Sequence, residues 1–210
     1  MALKAWASFP EDSEIVAVVN RKLEGVEYPK HIHYIENDEN CLAKAWNIGL
    51  RYLFDNGHKE VFVSGLDSLC PDSSELDRVL GHDGLGVGII GFRAEGMPII
   101  GGDYQPIQHG DGSFSFFLIS KDCFNFVGRF DQRYKPAYFE DNDYLERLWD
   151  SGYKPLRNNG GSYFHIFQGT MKHGTDSKRN YPDYMQKNLE LFVEDYGKVP
   201  DHLPSDIKFK

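Results

Sequence analysis

The sequence predicts an α/β fold, with a mixed, mostly parallel sheet flanked by helices. Short β-rich runs such as Glu14–Val19 (EIVAVV) and Glu60–Ser64 (EVFVS) recur along it, and segments of helical period lie between them. Apolar runs without polar alternation suit strands buried on both faces. The 210 residues hold no internal repeat, no low-complexity tract, and no apolar run near the roughly eighteen residues of a membrane span. A chain of this length can bury the core of one large domain, or of one domain with a C-terminal appendage.

Composition narrows the function classes. A formal charge of −9 disfavours a broad nonspecific grip on nucleic acid. The three cysteines, Cys41, Cys70 and Cys123, are odd in number and lack CxxC spacing. That argues for a reducing, cytoplasmic setting rather than a disulfide framework or a zinc site. The first residues, Met1 to Trp6, show no secretory pattern of basic, apolar and small regions.

Taken in order, Leu3–Phe9 alternates apolar and polar residues up to Pro10, as a first strand does, and Glu14–Val19 is the second, followed by Asn20. Ligands of open α/β sheets bind beyond the carboxyl ends of strands, which singles out Pro10 and Asn20. His31–Ile35 reads as a third strand, and its His31-x-His33 pair lacks a nearby third ligand, so an exposed strand face is the simpler reading. Asn40 stands as an N-cap for a helix whose Leu42, Trp46, Leu50 and Leu53 share one face up to Asn56-Gly57.

Asn47 and Gly49 do not serve the stability of that helix: glycine alone costs about 1 kcal/mol against alanine. Close approach of a ligand or of a neighbouring backbone would account for them. After the strand Glu60–Ser64 comes Asp67 in a turn, and a short helix follows Pro71 through Leu80. Gly86 to Gly91 spells GxGxxG, but no helix follows it, so residues 85–93 read as a strand and not as a dinucleotide site. Residues 103–113 read as a loop.

The chain is organised around Phe114 to Tyr153. An aromatic strand there gives way to a polar hinge at Ser120–Asp122, then to Phe130-Asp131 and a loop bearing Tyr134, Tyr138 and Phe139. Glu140-Asp141-Asn142-Asp143 opens a helix with Tyr144, Leu145, Leu148 and Trp149 on one face and Gly152 at its end. Asp143 and Glu146 have capping-box spacing. Further on lie Gly160–Phe167 with His165, a flexible cationic segment Gln168–Arg179, and a helix behind Pro182 with Met185, Leu189, Phe192 and Tyr196 in one stripe.

This order resembles the family 2 glycosyltransferases of the GT-A fold. The residues that carry the likeness are Val127-Gly128-Arg129-Phe130-Asp131, the acidic cluster, and Asn40-x-x-Ala43-x-x-x-Asn47-x-Gly49. Tyr184, Asn188, Phe192 and Tyr196-Gly197 match the helix after the family's lid, and the likeness is strongest from Asn40 to Tyr196. It implies a single catalytic domain over 1–170, with residues 1–80 binding the donor and 81–170 the acceptor; residues 171–210 form a lid and a packed helix. By position, Asp141 is the catalytic base and Glu140 the alternative. Pro10, Asn20, Asn40, Asn47, Gly49 and Asp67 would bind a nucleotide-diphospho-sugar. Phe130, Tyr138 and Phe139 would offer stacking faces to an acceptor. A divalent metal, Mn2+ or Mg2+, would sit on Asp67 and His165, although Gly65 replaces the first polar residue of the family's metal motif.

The implied activity is inverting transfer of a sugar to an acceptor hydroxyl. A saccharide is the default acceptor; the residues do not choose between it and a protein, lipid or hydroxylated nucleobase. A catalytically degenerate binding module of the same fold is the alternative. A nucleotidyltransferase fits less well, because Ser8-Phe9-Pro10-Glu11-Asp12 is acidic where a basic glycine-rich loop belongs. If Asp67 is the metal's carboxylate, Asp67→Ala weakens nucleoside-diphosphate binding mainly when manganese is present. Isothermal titration with and without the metal checks this, and equal losses would assign Asp67 to the fold or the nucleoside.

Overall fold

The computed structural model describes residues 13–20, 29–65, 68–69, 76–77, 79–80, 87–94, 104–107, 114–165 and 181–200. The expected first strand with Pro10, the turn residue Asp67, most of the helix after Pro71 and the segment Gln168–Arg179 lie outside them.

β1 (Ile15–Val19) and β2 (Ile32–Glu36) pair in parallel, Ile15 opposite Ile32. α1 (Leu42–Asp55) follows and packs against both β1 and β3 (Glu60–Ser64). Its apolar stripe buries Trp46, Leu50, Leu53 and Phe54, and the helix ends at Asn56 with Gly57 in the left-handed region at φ 99°. Asn40 is not its cap. Cys41 holds that place without a side-chain bond, because the Asn40 amide is engaged with Asn20.

The main sheet adds β4 (Ser68–Leu69), β5 (Val87–Ala94), β6 (Tyr104–Pro106), β7 (Phe116–Ser120) and β8 (Lys154–His165). Its order is β3-β7-β5-β8-β4, with β6 also on β8. The sheet is mixed, as expected, but it is not mostly parallel. Only β5 and β8 run parallel, whereas β3–β7, β5–β7, β4–β8 and β6–β8 are antiparallel among the described residues. The reason is that β7 enters between β3 and β5 and runs against both, and a strand buried on both faces reads the same in either direction.

β7 shows why such a run is needed. Phe117 and Ile119 point to a core shared with α1, while Phe116 and Leu118 point to a second core with Leu76, Val79, Phe92 and Tyr163. Alternation along a strand sends neighbours to opposite faces, so a sheet covered on both sides buries every residue of the run. The first core is closed by α2 (Lys121–Val127) and α3 (Glu140–Asp150), and α4 (Tyr181–Tyr196) lies beyond. α2 occupies the expected polar hinge. Ser120 caps it, its hydroxyl oxygen accepting the Cys123 N–H at 3.2 Å. β6 lies within the expected loop 103–113, held by β8 rather than by a pattern of its own. No described helix is long and apolar enough to cross a membrane.

One glycine of the GxGxxG run has a packing reason. A Cβ on Gly88 would meet Leu148 Cδ2 at 2.8 Å, Cys123 Sγ at 2.9 Å and Tyr153 Cβ at 3.0 Å. A Cβ on Gly91 would meet only Ile107 Cδ1 at 3.4 Å and Leu156 O at 3.9 Å. Gly88→Ala should therefore cost about 1–3 kcal/mol through overpacking, and Gly91→Ala less. Urea unfolding of the two variants tests this, and equal midpoints would overturn it.

Candidate functional site

The residues singled out by sequence converge on two loops that the fold ties together. The first follows β2. Asn20 Nδ2 donates to Asn40 Oδ1 at 3.1 Å, and Asn37 Nδ2 donates to Asn20 Oδ1 at 3.3 Å and to the Glu39 carbonyl at 2.6 Å. These three asparagines stand at and just beyond the carboxyl ends of the parallel pair β1–β2, where open α/β sheets bind ligands. Asn37 was not among the residues the sequence suggested. It is 1 % exposed, and its Oδ1 has no hydrogen-bond partner among the described residues.

The second loop runs from Phe130 to Glu140. Its join to the first is direct: the Leu42 N–H donates to the Pro136 carbonyl at 2.8 Å, and Lys135 pairs with Glu39 at 2.6 Å. Asn47 anchors the start of this loop from α1. Its Nδ2 donates to the Phe130 carbonyl at 2.8 Å, and its Oδ1 accepts the Phe130 N–H at 2.9 Å. That is why a poor helix former sits mid-helix: the amide acts as a backbone partner for a turn 83 residues away. A Cβ on Gly49 would lie 3.4 Å from Val18 Cγ2 on β1, close to ordinary contact, so packing does not by itself demand a glycine there.

The aromatic residues expected to face an acceptor divide. Phe130 is 1 % exposed, stacked on Tyr144 at 4.1 Å between ring centroids and edge-on to Trp46 at 5.0 Å. Phe139 is buried in a cluster with Tyr134, Leu189 and Phe192. Both rings are committed to the interior by the need to bury apolar area, so neither offers an open stacking face. Tyr138 is half-buried.

Tyr138 and Phe139 stand at φ 83° and 71°, a left-handed pair that side-chain-bearing residues rarely adopt, at about 1–3 kcal/mol each. The turn they make delivers Glu140 and Asp141 into the first turn of α3. The expected Asp143–Glu146 capping box does not form, because the helix begins at Glu140 and Phe139, four residues before Asp143, occupies the cap position. Asp143 instead binds Arg147 through Oδ2 at 2.6 Å and accepts the Tyr196 hydroxyl on Oδ1 at 2.7 Å.

The adjacent carboxyls differ in environment. Glu140 is 3 % exposed, and its Oε2 has no hydrogen-bond partner among the described residues. Burial first, and then the charge of Asp141, push its carboxyl well above the usual glutamate range. Asp141 is half-exposed, with Oδ1 accepting the Asn142 N–H at 2.9 Å.

For the expected metal pair, the register is informative. His165 on β8 stands opposite Ser68 on β4, the residue after Asp67, although Asp67 and the His165 side chain lie outside the described residues. His33 stacks on Tyr52 at 4.6 Å, in keeping with an ordinary strand face. A second carboxylate group, Asp131, Asp143 and Asp195, brings ligand atoms within 4.8 Å of one another. Its charge is already met by cations. Arg133 Nη2 lies 2.7 Å from Asp131 and 2.8 Å from Asp195, and Arg147 binds Asp143. These arginines already balance the charge of the cluster.

No family model matches the chain, and no curated protein matches it. Among solved structures, A197 from STIV is similar over 73% of this chain and 86% of its own, at 12% identity and a TM-score of 0.45. A likeness at that level assigns neither a fold family nor an activity.

Two predictions follow from the environments of Asn47 and Glu140. Asn47→Ala strips both partners from the buried Phe130 backbone, at roughly 1–3 kcal/mol for each group, against a helix gain of about 0.7 kcal/mol. The net loss of about 1–5 kcal/mol corresponds to a melting-temperature fall of about 3–20 °C at this chain length, and a rise would show the helix to be free of this duty. For Glu140, the folded chain holds the proton more tightly than the unfolded chain. The group's stabilisation is therefore complete below its unfolded value of 4.5 and is lost as pH rises through the raised folded value. Glu140→Gln should lack that decline, so its urea midpoint gains on the wild type as pH rises above about 4.5. Parallel pH profiles would show that Glu140 is not held neutral.

Proposed function

We propose that the protein is an inverting, nucleotide-sugar-dependent glycosyltransferase of the GT-A type. The observation that carries the reading is the join between the loops. Leu42 to Pro136 and Lys135 to Glu39 set the asparagines beyond the parallel strands beside the strained turn that presents Glu140 and Asp141. Residues expected at the donor thus share a rim with residues expected at the acceptor.

Asp141 is the base on this reading. It is the carboxylate of the pair that solvent, and hence an acceptor hydroxyl, can reach. Base catalysis requires direct or one-water contact with the proton removed, which a fully buried Glu140 lacks. Asp141 would take the hydroxyl proton as that oxygen attacks the anomeric carbon and the nucleoside diphosphate departs from the opposite face, with inversion. Glu140, held neutral by burial, keeps a second negative charge from accumulating beside the base. The buried Asn37 Oδ1 suits a donor N–H of a nucleobase, beside Asn20 and Asn40.

Asp67 and His165 would hold a divalent metal, Mn2+ or Mg2+, which supplies charge stabilisation for the departing diphosphate. With Phe130 and Phe139 turned inward, half-buried Tyr138 is the expected acceptor residue that keeps some exposure.

A panel of nucleotide sugars with manganese present tests the reading: thermal protection together with release of nucleoside diphosphate is expected. Protection without release would favour the binding module. Asp141→Asn keeps the shape of the side chain but cannot accept the proton, so turnover should fall by about 10²–10⁴-fold with donor affinity little changed. Glu140→Gln should lose less. Wild-type turnover in both variants would remove the pair from the chemistry.

A further inference from the structure

α4 and the residues just past it meet the loop and helix that carry the candidate base through several polar contacts, among them the Tyr134 hydroxyl donating to Asp195 at 3.1 Å. Arg133 bridges to Asp195, Tyr196 reaches Asp143, and Lys198, just past the helix, pairs with Glu146 at 2.9 Å. The contact made by Asn188 differs in kind. Asn188 Nδ2 donates to the Ala137 carbonyl at 3.0 Å and to the Tyr138 carbonyl at 3.1 Å. Thus one amide uses both hydrogens on successive carbonyls of the left-handed turn.

We infer that Asn188 is a positioning residue, a two-carbonyl clamp through which α4 holds the Tyr138–Phe139 turn so that Glu140 enters α3 buried and Asp141 faces outward. The inference rests on the transferase reading only for what the pair does, not for the clamp itself.

Three observations support it. Asn188 is fully buried, and asparagine is a weak helix former, so neither solubility nor helix propensity explains it. Its Oδ1 has no partner among the described residues, which leaves the two donated bonds as the side chain's polar role there. The turn itself is unfavourable, and strained backbone persists only where its surroundings over-determine it. On the apolar side, Phe139 packs on Phe192 one turn further along α4, at 6.1 Å between ring centroids. The same helix therefore grips the turn by its carbonyls and by its ring.

The clamp's effect is read on Glu140, whose surroundings include Asp141 and Asp143 from α3 and Cys41 from the segment before α1. Carbon-13 NMR of labelled glutamate side chains, assigned with Glu140→Gln, follows its titration. In Asn188→Ala, freed carbonyls let the turn relax and water reach the carboxyl, so the titration should move down towards 4.5. Asn188→Ser keeps one donor and is the milder probe, with a smaller shift in the same direction. If a nucleotide sugar is turned over, kcat should fall by about 10–100-fold with KM nearly unchanged, as misplacement of a catalytic group predicts. A merely structural asparagine would lower the melting temperature of either variant and leave Glu140 titrating as in the wild type. That result, in whichever variant folds, overturns the clamp. Absence of turnover on every nucleotide sugar would instead sink the transferase reading, and the Glu140 titration would still decide the role of Asn188.

Discussion

The pairing of the Asn47 side chain with both backbone groups of Phe130 is the contact on which the arrangement of this protein depends. It joins α1 to a turn far along the chain, and it does so inside the core, where an unmatched N–H or carbonyl is costly. Once the backbone is held, the Phe130 ring falls between Trp46 and Tyr144 and meets Phe117. Two helices and the central strand β7 thus share one aromatic centre. The loop that leaves Phe130 has its starting point and direction set before it reaches the acidic cluster.

From that fixed start, the loop to Glu140 is held from two sides. α1 contributes the Leu42 N–H and the loop before it the Glu39–Lys135 pair, while α4 contributes Asn188 and the Phe192 ring. Between these supports the backbone takes two successive left-handed steps at aromatic residues. A carboxyl buried straight after such a turn, next to one that reaches solvent, is a division of environments made by backbone path rather than by residue type. Glutamate and aspartate are close in intrinsic acidity; it is burial that separates them here.

The acidic character of this region is less free than its composition suggests. Asp131, Asp143 and Asp195 lie together, yet Arg133 and Arg147 stand against them and Tyr134 and Tyr196 donate to them. The network ties α4 to α3 and to the loop. It has the marks of an internal joint, with partly buried charges matched by planar guanidinium groups that suit carboxylate geometry. Asp141 stands apart from that joint, at the start of α3 and within reach of solvent.

How much of this was legible depends on whether the information was local. The α/β class, the runs that became β1, β2, β3, β5 and β7, the stripe of α1 and the stripe of α4 were all readable, because period and end signals are carried by neighbouring residues. Asn20 was singled out by its place at a strand end, but its bond to Asn40 came only with the packing. Other features had no local trace. The antiparallel insertion of β7, the short strand β6, and the inward turn of Phe130 and Phe139 are set by partners distant in sequence. Asn47 and Gly49 were visible as residues a helix does not want, but the reason for Asn47, the Phe130 backbone, came only with the packing. Asn188 showed only as a motif position, and Asn37 not at all, since an asparagine's hydrogen-bonding role is written in what it faces. The sequence by itself determined most of the strands and helices, those with a periodic pattern of their own, and where the carboxylates would cluster. Only the tertiary structure decided which carboxyl is buried, because burial is a property of the whole packed surface and not of any stretch of chain.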